Sequence, residues 1–254
     1  MRDTLISDLS YYNDFIKLQN QLLSESYYRL DNNQIPADNI SRVHHRLFFK
    51  KLEIFIASYG RGDSIKELHE KFNKIFENIN KEWEDEATKF KKGKMQTSYD
   101  QYWLNSYCYM VWVLSISILL GVDSHKINIL TRLIEKGNIK DELILFLLSG
   151  LNGKTYLEKK KTTYNPFKNL VKTDLTILDK SSLYMYLKSW YKNTKLLTWH
   201  NYINSTPEKH FYFGYWSFET SAIVALLNID DSAFKEHENY PYDLVVKYRE
   251  RTRS

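Results

Sequence analysis

The chain has 254 residues, 43% of them hydrophobic, with 8 Gly, 4 Pro, one Cys and a net charge of +5. That apolar content supports a packed core and excludes a disordered chain. The scarcity of Gly and Pro argues against a sandwich or barrel of many tight turns, and the lone Cys108 excludes an internal disulfide framework or a cysteine zinc cluster.

In chain order, the spacing of Leu5, Leu9, Tyr12, Ile16, Leu23 and Tyr27 predicts a first helix over 4–29. Met1-Arg2-Asp3 leads straight into this mixed pattern without the features of a signal peptide, so a reducing cytoplasm is the expected compartment. A turn at Asp31–Pro36 precedes a second helix over 37–59, which Gly60-Arg61-Gly62-Asp63 stops. Ser64 and Glu67 form a capping-box pattern, and Ile65, Leu68, Phe72, Ile75, Phe76, Ile79 and Trp83 follow one face of a third helix. The basic runs Lys89–Lys94 and Lys159–Lys161 read as solvated loops or helix ends. Beyond it, 98–121 reads as one apolar helix. It is long enough to cross a bilayer, but Gln101, Asn105, Ser106, Ser115 and Ser117 recur along it and no second such segment exists. It is therefore expected to be the buried centre of an all-α multi-helix bundle.

Helices are further expected at 126–135 and 140–151, an irregular connection at 152–176, and helices at 181–193, 196–204, 212–228 and 242–249, with a short helical turn after Asp231. A 108-residue shift sets Tyr107 on Tyr215, Ile116 on Val224, Leu119 on Leu227 and Asp123 on Asp231, a hint of two similar helical halves. The expected division is an N-terminal helical region, 1–125, and a C-terminal one, 126–254, within one compact body.

The motifs of catalysis are missing from the sequence. It has no glycine-rich phosphate loop, no His-Glu-x-x-His and no Gly-x-Ser-x-Gly. His44 and His45 point about 100° apart on a helix, and His200 and His210 fall across a turn, so neither pair suggests a metal. Cys108 lies in the apolar helix as a small hydrophobe. No catalytic residue, cofactor, metal or small-molecule substrate is expected. Binding to another protein is the leading reading. The alternatives are a nucleic-acid binder, from the basic charge and the 15% aromatic content, or a small helical enzyme using Glu219 or a histidine.

Two acidic groups interrupt the basic chain. Glu82, Glu84, Asp85 and Glu86 surround Trp83, and residues 219–243 carry six acids against Lys235 alone. Glu82, Glu84, Asp85, Glu86, Asp230, Asp231, Glu236 and Glu238 are the candidate contacts for a cationic partner, although Asp231 and Asp243 also suit helix caps. Glu219, alone among aromatic residues, reads as a satisfied core carboxylate.

Gly214-Tyr215-Trp216-Ser217-Phe218-Glu219, Ile229-Asp230-Asp231-Ser232 and Tyr240-Pro241-Tyr242-Asp243-Leu244 together resemble the C-terminal signature of the PoNi immunity proteins. The Arg2-Asp3 start and the run Tyr59 to Leu68 are similar to the N-terminal half of that family. The resemblance implies an all-helical cytoplasmic protein that binds its own PoNe-type DNase toxin and blocks it, with no cofactor and no catalysis. It also implies a structural role for the signature residues Gly214, Tyr215, Trp216, Glu219, Tyr240, Pro241 and Asp243.

Overall fold

The computed structural model describes residues 1–6, 8–92, 97–160, 162, 164–171, 174–205 and 209–253; at 85, 86, 91, 92 and 97–99 it describes the backbone alone. Contacts divide the chain into two helical units, each built from two stretches of sequence. The first comprises Met1–Thr88 with Asn201–Gly214, and the second comprises Lys89–His200 with Tyr215–Ser254. The boundary expected near residue 125 falls inside the second unit.

In the first unit, α1 (Leu9–Asp31), α2 (Ala37–Arg61), α3 (Ile65–Phe76) and the short α4 (Ile79–Glu82) and α5 (Asp85–Thr88) pack around α2. The helix expected from residue 4 starts only at Leu9. Asp3 accepts from the Leu5 N–H at 2.8 Å, and Asp8 caps α1 through the Ser10 N–H. Gly62, at φ 104°, closes α2 in the left-handed conformation that glycine adopts without strain. The capping box of α3 is present in full: the Ser64 N–H donates to Glu67 Oε2 at 2.8 Å, and the Glu67 N–H donates to Ser64 Oγ at 3.3 Å. Leu68, Phe72, Ile75 and Phe76 form its buried face. The single helix expected through Trp83 is broken after Phe76, which lets Trp83 turn its ring edge onto Phe48, centroids 4.8 Å apart.

The two stretches of this unit are joined at Asp3. Its Oδ2 accepts the hydroxyls of Tyr12 and of Tyr212, the latter at 2.6 Å. The Tyr11 hydroxyl donates to Tyr212 C=O at 3.0 Å and accepts from the Tyr212 N–H at 3.1 Å.

In the second unit, the strands β1 (Lys89–Lys92) and β2 (Thr97–Tyr102) pair antiparallel before α6 (Leu104–Leu120), α7 (Ser124–Lys136), α8 (Glu142–Asn152), α9 (Lys180–Asn193), α10 (Phe218–Leu227) and α11 (Tyr242–Arg253). The expected helix over 98–121 thus begins as strand, through Tyr102, and is helical only from Leu104. Thr97–Tyr102, rich in residues that suit a pleated surface, pairs with the basic run expected to be a solvated loop. Lys89 is buried there, and residues 93 and 94 lie outside the described residues.

α6 packs against α8, α10 and α11, and every residue from Ser106 to Leu120 is buried. A helix apolar on all sides needs surroundings that exclude water, which these neighbouring helices supply. Among the described residues, no helix is long and apolar enough to cross a membrane. α6 and α10 are alike as buried apolar helices, but the two segments diverge at their ends. Asp123 caps α7, whereas the chain after Asp231 makes successive turns and reaches α11 only at Tyr242.

α6 ends at Gly121, at φ 72°, with the Arg251 guanidinium of α11 against it. Arg251 donates to the C=O groups of Leu119 and Ile118, both at 2.9 Å, so an arginine supplies donors to the helix's unsatisfied last carbonyls. Gly121→Ala places a Cβ on that guanidinium in a strained backbone conformation. We expect it to lower the free energy of unfolding by about 1–3 kcal/mol, read as a lowered urea midpoint. An unchanged midpoint would show that Arg251 does not hold this corner.

Candidate partner-binding surface and the buried acids

The acids at 82–86 do not form the solvated helix end that their sequence suggests. Glu82 is 0% exposed at the end of α4, and Lys51 of α2, 6% exposed, donates to its two oxygens at 2.8 and 3.0 Å. The Tyr27 hydroxyl of α1 donates to Oε1 at 2.6 Å; burial, reinforced by this bond to Glu82, raises the phenol above its ordinary range. Glu82 is therefore an internal tie among three helices and not a contact acid. Glu84 is half-buried. Asp85 and Glu86 start α5, and their side chains lie outside the described residues.

The acids after α10 also separate. Asp231 is 4% exposed and accepts from the Tyr240 hydroxyl at 2.8 Å and from Arg249 of α11 at 2.9 Å. Arg249 also donates to Ile229 C=O at 2.8 Å. Asp231 is thus another internal tie, neither a surface acid nor a helix cap. Asp230, Glu236 and Glu238 are exposed on the same loop, which Phe234 anchors with its ring against Tyr240, centroids 5.0 Å apart. Lys180 lies 2.8 Å from Asp230, and its hydrogen bond, with those from Ser232, holds the carboxyl down at about 2. Glu236, 88% exposed, has Lys235 at 3.9 Å. Of the six candidate contact acids whose side chains are described, these three retain an open face to solvent, with Glu84 partly so.

The signature residues gather elsewhere, in the interior. The helix expected from residue 212 begins at Phe218, and 212–217 runs as irregular chain with Gly214 at φ 116°. Tyr212 and Trp216 therefore precede the helix that carries Glu219. What holds the segment is long-range. The Tyr215 hydroxyl donates to His200 C=O at 2.7 Å, Ser217 N–H donates to Asn239 C=O at 2.8 Å, and the Asn239 amide donates back to Tyr215 C=O at 3.0 Å. Ser221 of α10 reaches Pro241 C=O at 3.4 Å. The three C-terminal blocks thus meet through Asn239, Pro241, Tyr240 and Asp231. Trp216 and Pro241 are buried, and Asp243 is half-buried in the first turn of α11. The N-terminal blocks meet as well: the N–H groups of Arg2 and Asp3 donate to Gly60 C=O at 2.8 and 3.1 Å, and Arg61 and Lys71 close on Asp63 at 2.7 and 2.8 Å.

Glu219 is 0% exposed. Tyr186, Trp190 and Ser217 all donate to its Oε1, at 2.7, 2.6 and 2.7 Å, while Oε2 is buried without a hydrogen-bond partner. Burial raises its pKa above the ordinary carboxylate range, against the lowering effect of those donors. Burial likewise raises the thiol of Cys108, helped by the charge of nearby Glu219. Both are sealed core groups without an approach for substrate. His45, among Phe48, Phe49 and Trp83, is pushed down to about 4 by burial. Among the described residues, no three His, Cys, Asp or Glu side chains cluster closely enough to hold a metal.

Lys51 and Arg249 went unnoticed in the sequence. Lys51 shares the otherwise apolar run from Leu47 to Ile56 with Lys50 and Glu53, so no local pattern marks it as the buried partner of Glu82.

Comparison with known proteins bears on the same blocks. The chain is similar in structure to protein PA2201 from Pseudomonas aeruginosa, with a TM-score of 0.61 at 18% identity over 96% of this chain and 88% of that one. At that identity the likeness concerns the fold alone. No curated protein matches the chain. Residues 2–132 match the model for the N-terminal part of the PoNe immunity protein (PoNi), and residues 139–244 match that for the C-terminal part of the PoNe immunity proteins. These two matches take in every block that meets in the interior, and the chain therefore belongs to the PoNe immunity proteins (PoNi).

Proposed function

We propose that this chain binds and neutralises a cognate secreted bacterial DNase toxin by direct protein–protein contact, in the cytoplasm of the cell that makes both. The observation that carries this reading is the family match over nearly the whole length. The signature residues are mostly buried, and they build the scaffold. Recognition belongs to residues outside them.

A nuclease presents positive charge for phosphate, so acids that remain open on its inhibitor speed association by steering. Asp230, Glu236 and Glu238 have that exposure. They are the contact acids we favour, with Glu84, Asp85 and Glu86 as a second group. The test pairs the chain with the nuclease encoded beside it. The unaltered chain forms a complex and restores growth on co-expression. E236K/E238K associates about ten-fold more slowly at low salt, with a weakened dependence on ionic strength. Absence of any complex refutes the function. A complex with unaltered association in E236K/E238K refutes this contact face and leaves the function standing.

A further inference from the structure

Three arginines and no acid line a pocket at the turn from α1 to α2, whose own acids, Asp31 and Asp38, stand outside that lining. Asn39, Arg42, Val43 and Arg46 lie at helical spacing along one strip of α2, facing Arg29 from the last turn of α1. With Ile35 and Pro36 they line a pocket of about 360 Å³ in the first unit. The three arginines are exposed. Among the described residues, none of their guanidiniums pairs with a carboxylate. Elsewhere, Arg61 closes on Asp63, Arg249 on Asp231, and Arg251 on helix carbonyls.

Three like charges around one concavity repel each other, and a multivalent anion placed among them removes that cost. The planar fork of arginine matches the oxygens of a phosphoryl group with two parallel bonds, and Asn39 adds a neutral amide donor. The volume is in the range of small-molecule sites, and Ile35, Pro36 and Val43 supply an apolar wall beside the charge. We propose that this pocket binds the phosphoryl groups of a small phosphorylated molecule of nucleotide size. The proposal does not depend on toxin binding, and its test contains no toxin.

The probe is inorganic pyrophosphate, titrated calorimetrically into the full chain at fixed ionic strength, with citrate as a carboxylate anion of similar charge. Saturable one-to-one binding of pyrophosphate is expected, with citrate weaker. R42A/R46A weakens binding about ten-fold or more, which corresponds to about 1.4 kcal/mol or more. R42K/R46K, which keeps the charge and loses the fork, is also weakened. Both variants keep the parent melting temperature, because the side chains are exposed. Equal affinity for citrate, equal binding by R42A/R46A, or no saturable binding overturns the proposal. Binding of duplex DNA with none of pyrophosphate also overturns it, in favour of a groove for nucleic-acid backbone.

Discussion

Lys51→Met should lower the free energy of unfolding by about 3–5 kcal/mol, because it strands the Glu82 carboxylate in the core. Glu82 is 0% exposed, and without Lys51 its remaining side-chain partner is the Tyr27 hydroxyl at 2.6 Å. The attraction within a buried pair is largely offset by the cost of removing both charges from water, so the double variant K51M/E82L should be much less damaged than either single change implies. Urea denaturation of the four proteins gives the coupling directly. If K51M alone loses less than about 1 kcal/mol, the pair is more hydrated in solution than its burial indicates.

The second large effect concerns Glu219 and pH. Its folded carboxyl is raised above the ordinary value by burial. In the window above the unfolded pKa the folded protein holds a proton that the unfolded chain has released, so stability falls as pH rises. The fall approaches about 1.4 kcal/mol per pH unit and ends once the folded carboxyl ionises. Glu219→Gln keeps an acceptor for Tyr186, Trp190 and Ser217 and cannot titrate, so its unfolding profile should lack that slope. Glu219→Ala leaves the buried Tyr186 and Trp190 donors unpaired, with Thr220 remaining to Ser217, and should cost about 3 kcal/mol or more at any pH. Parallel pH profiles for the parent and Glu219→Gln would falsify the assignment.

These two carboxylates show what could be read along the chain and what could not. Glu219 was legible as an interior acid because its own neighbours are aromatic and apolar. Glu82 looks exposed in the sequence because its neighbours are charged, and the lysine that draws it inward sits 31 residues earlier on another helix. The same division runs through the fold. The capping box at Ser64 and the apolar body of α6 are local patterns and were read correctly. The start of α10 was misplaced by six residues, from 212 to 218, because Tyr215 and Ser217 are held by His200 and Asn239, contacts that no periodicity records. The family blocks were legible for a different reason: they are the points where distant stretches meet, so their residue types are tightly constrained even where their roles are hidden. The acids on the 230–238 loop remained candidates only after burial had removed Asp231.

The Tyr212 bridge to Asp3 sets a schedule for synthesis. The first unit draws its last residues from 201–214, so its amino-terminal 88 residues leave the ribosome before the segment that completes them exists. The intervening 112 residues take about 5–20 s to make at ordinary elongation rates. During that interval the cavity that Tyr212 fills stands open on a nascent chain, with Asp3 and Tyr11 lacking that partner. A message truncated before codon 212 should therefore yield a nascent product that binds chaperones and is cut readily by protease. One released after codon 214 should already protect its first unit.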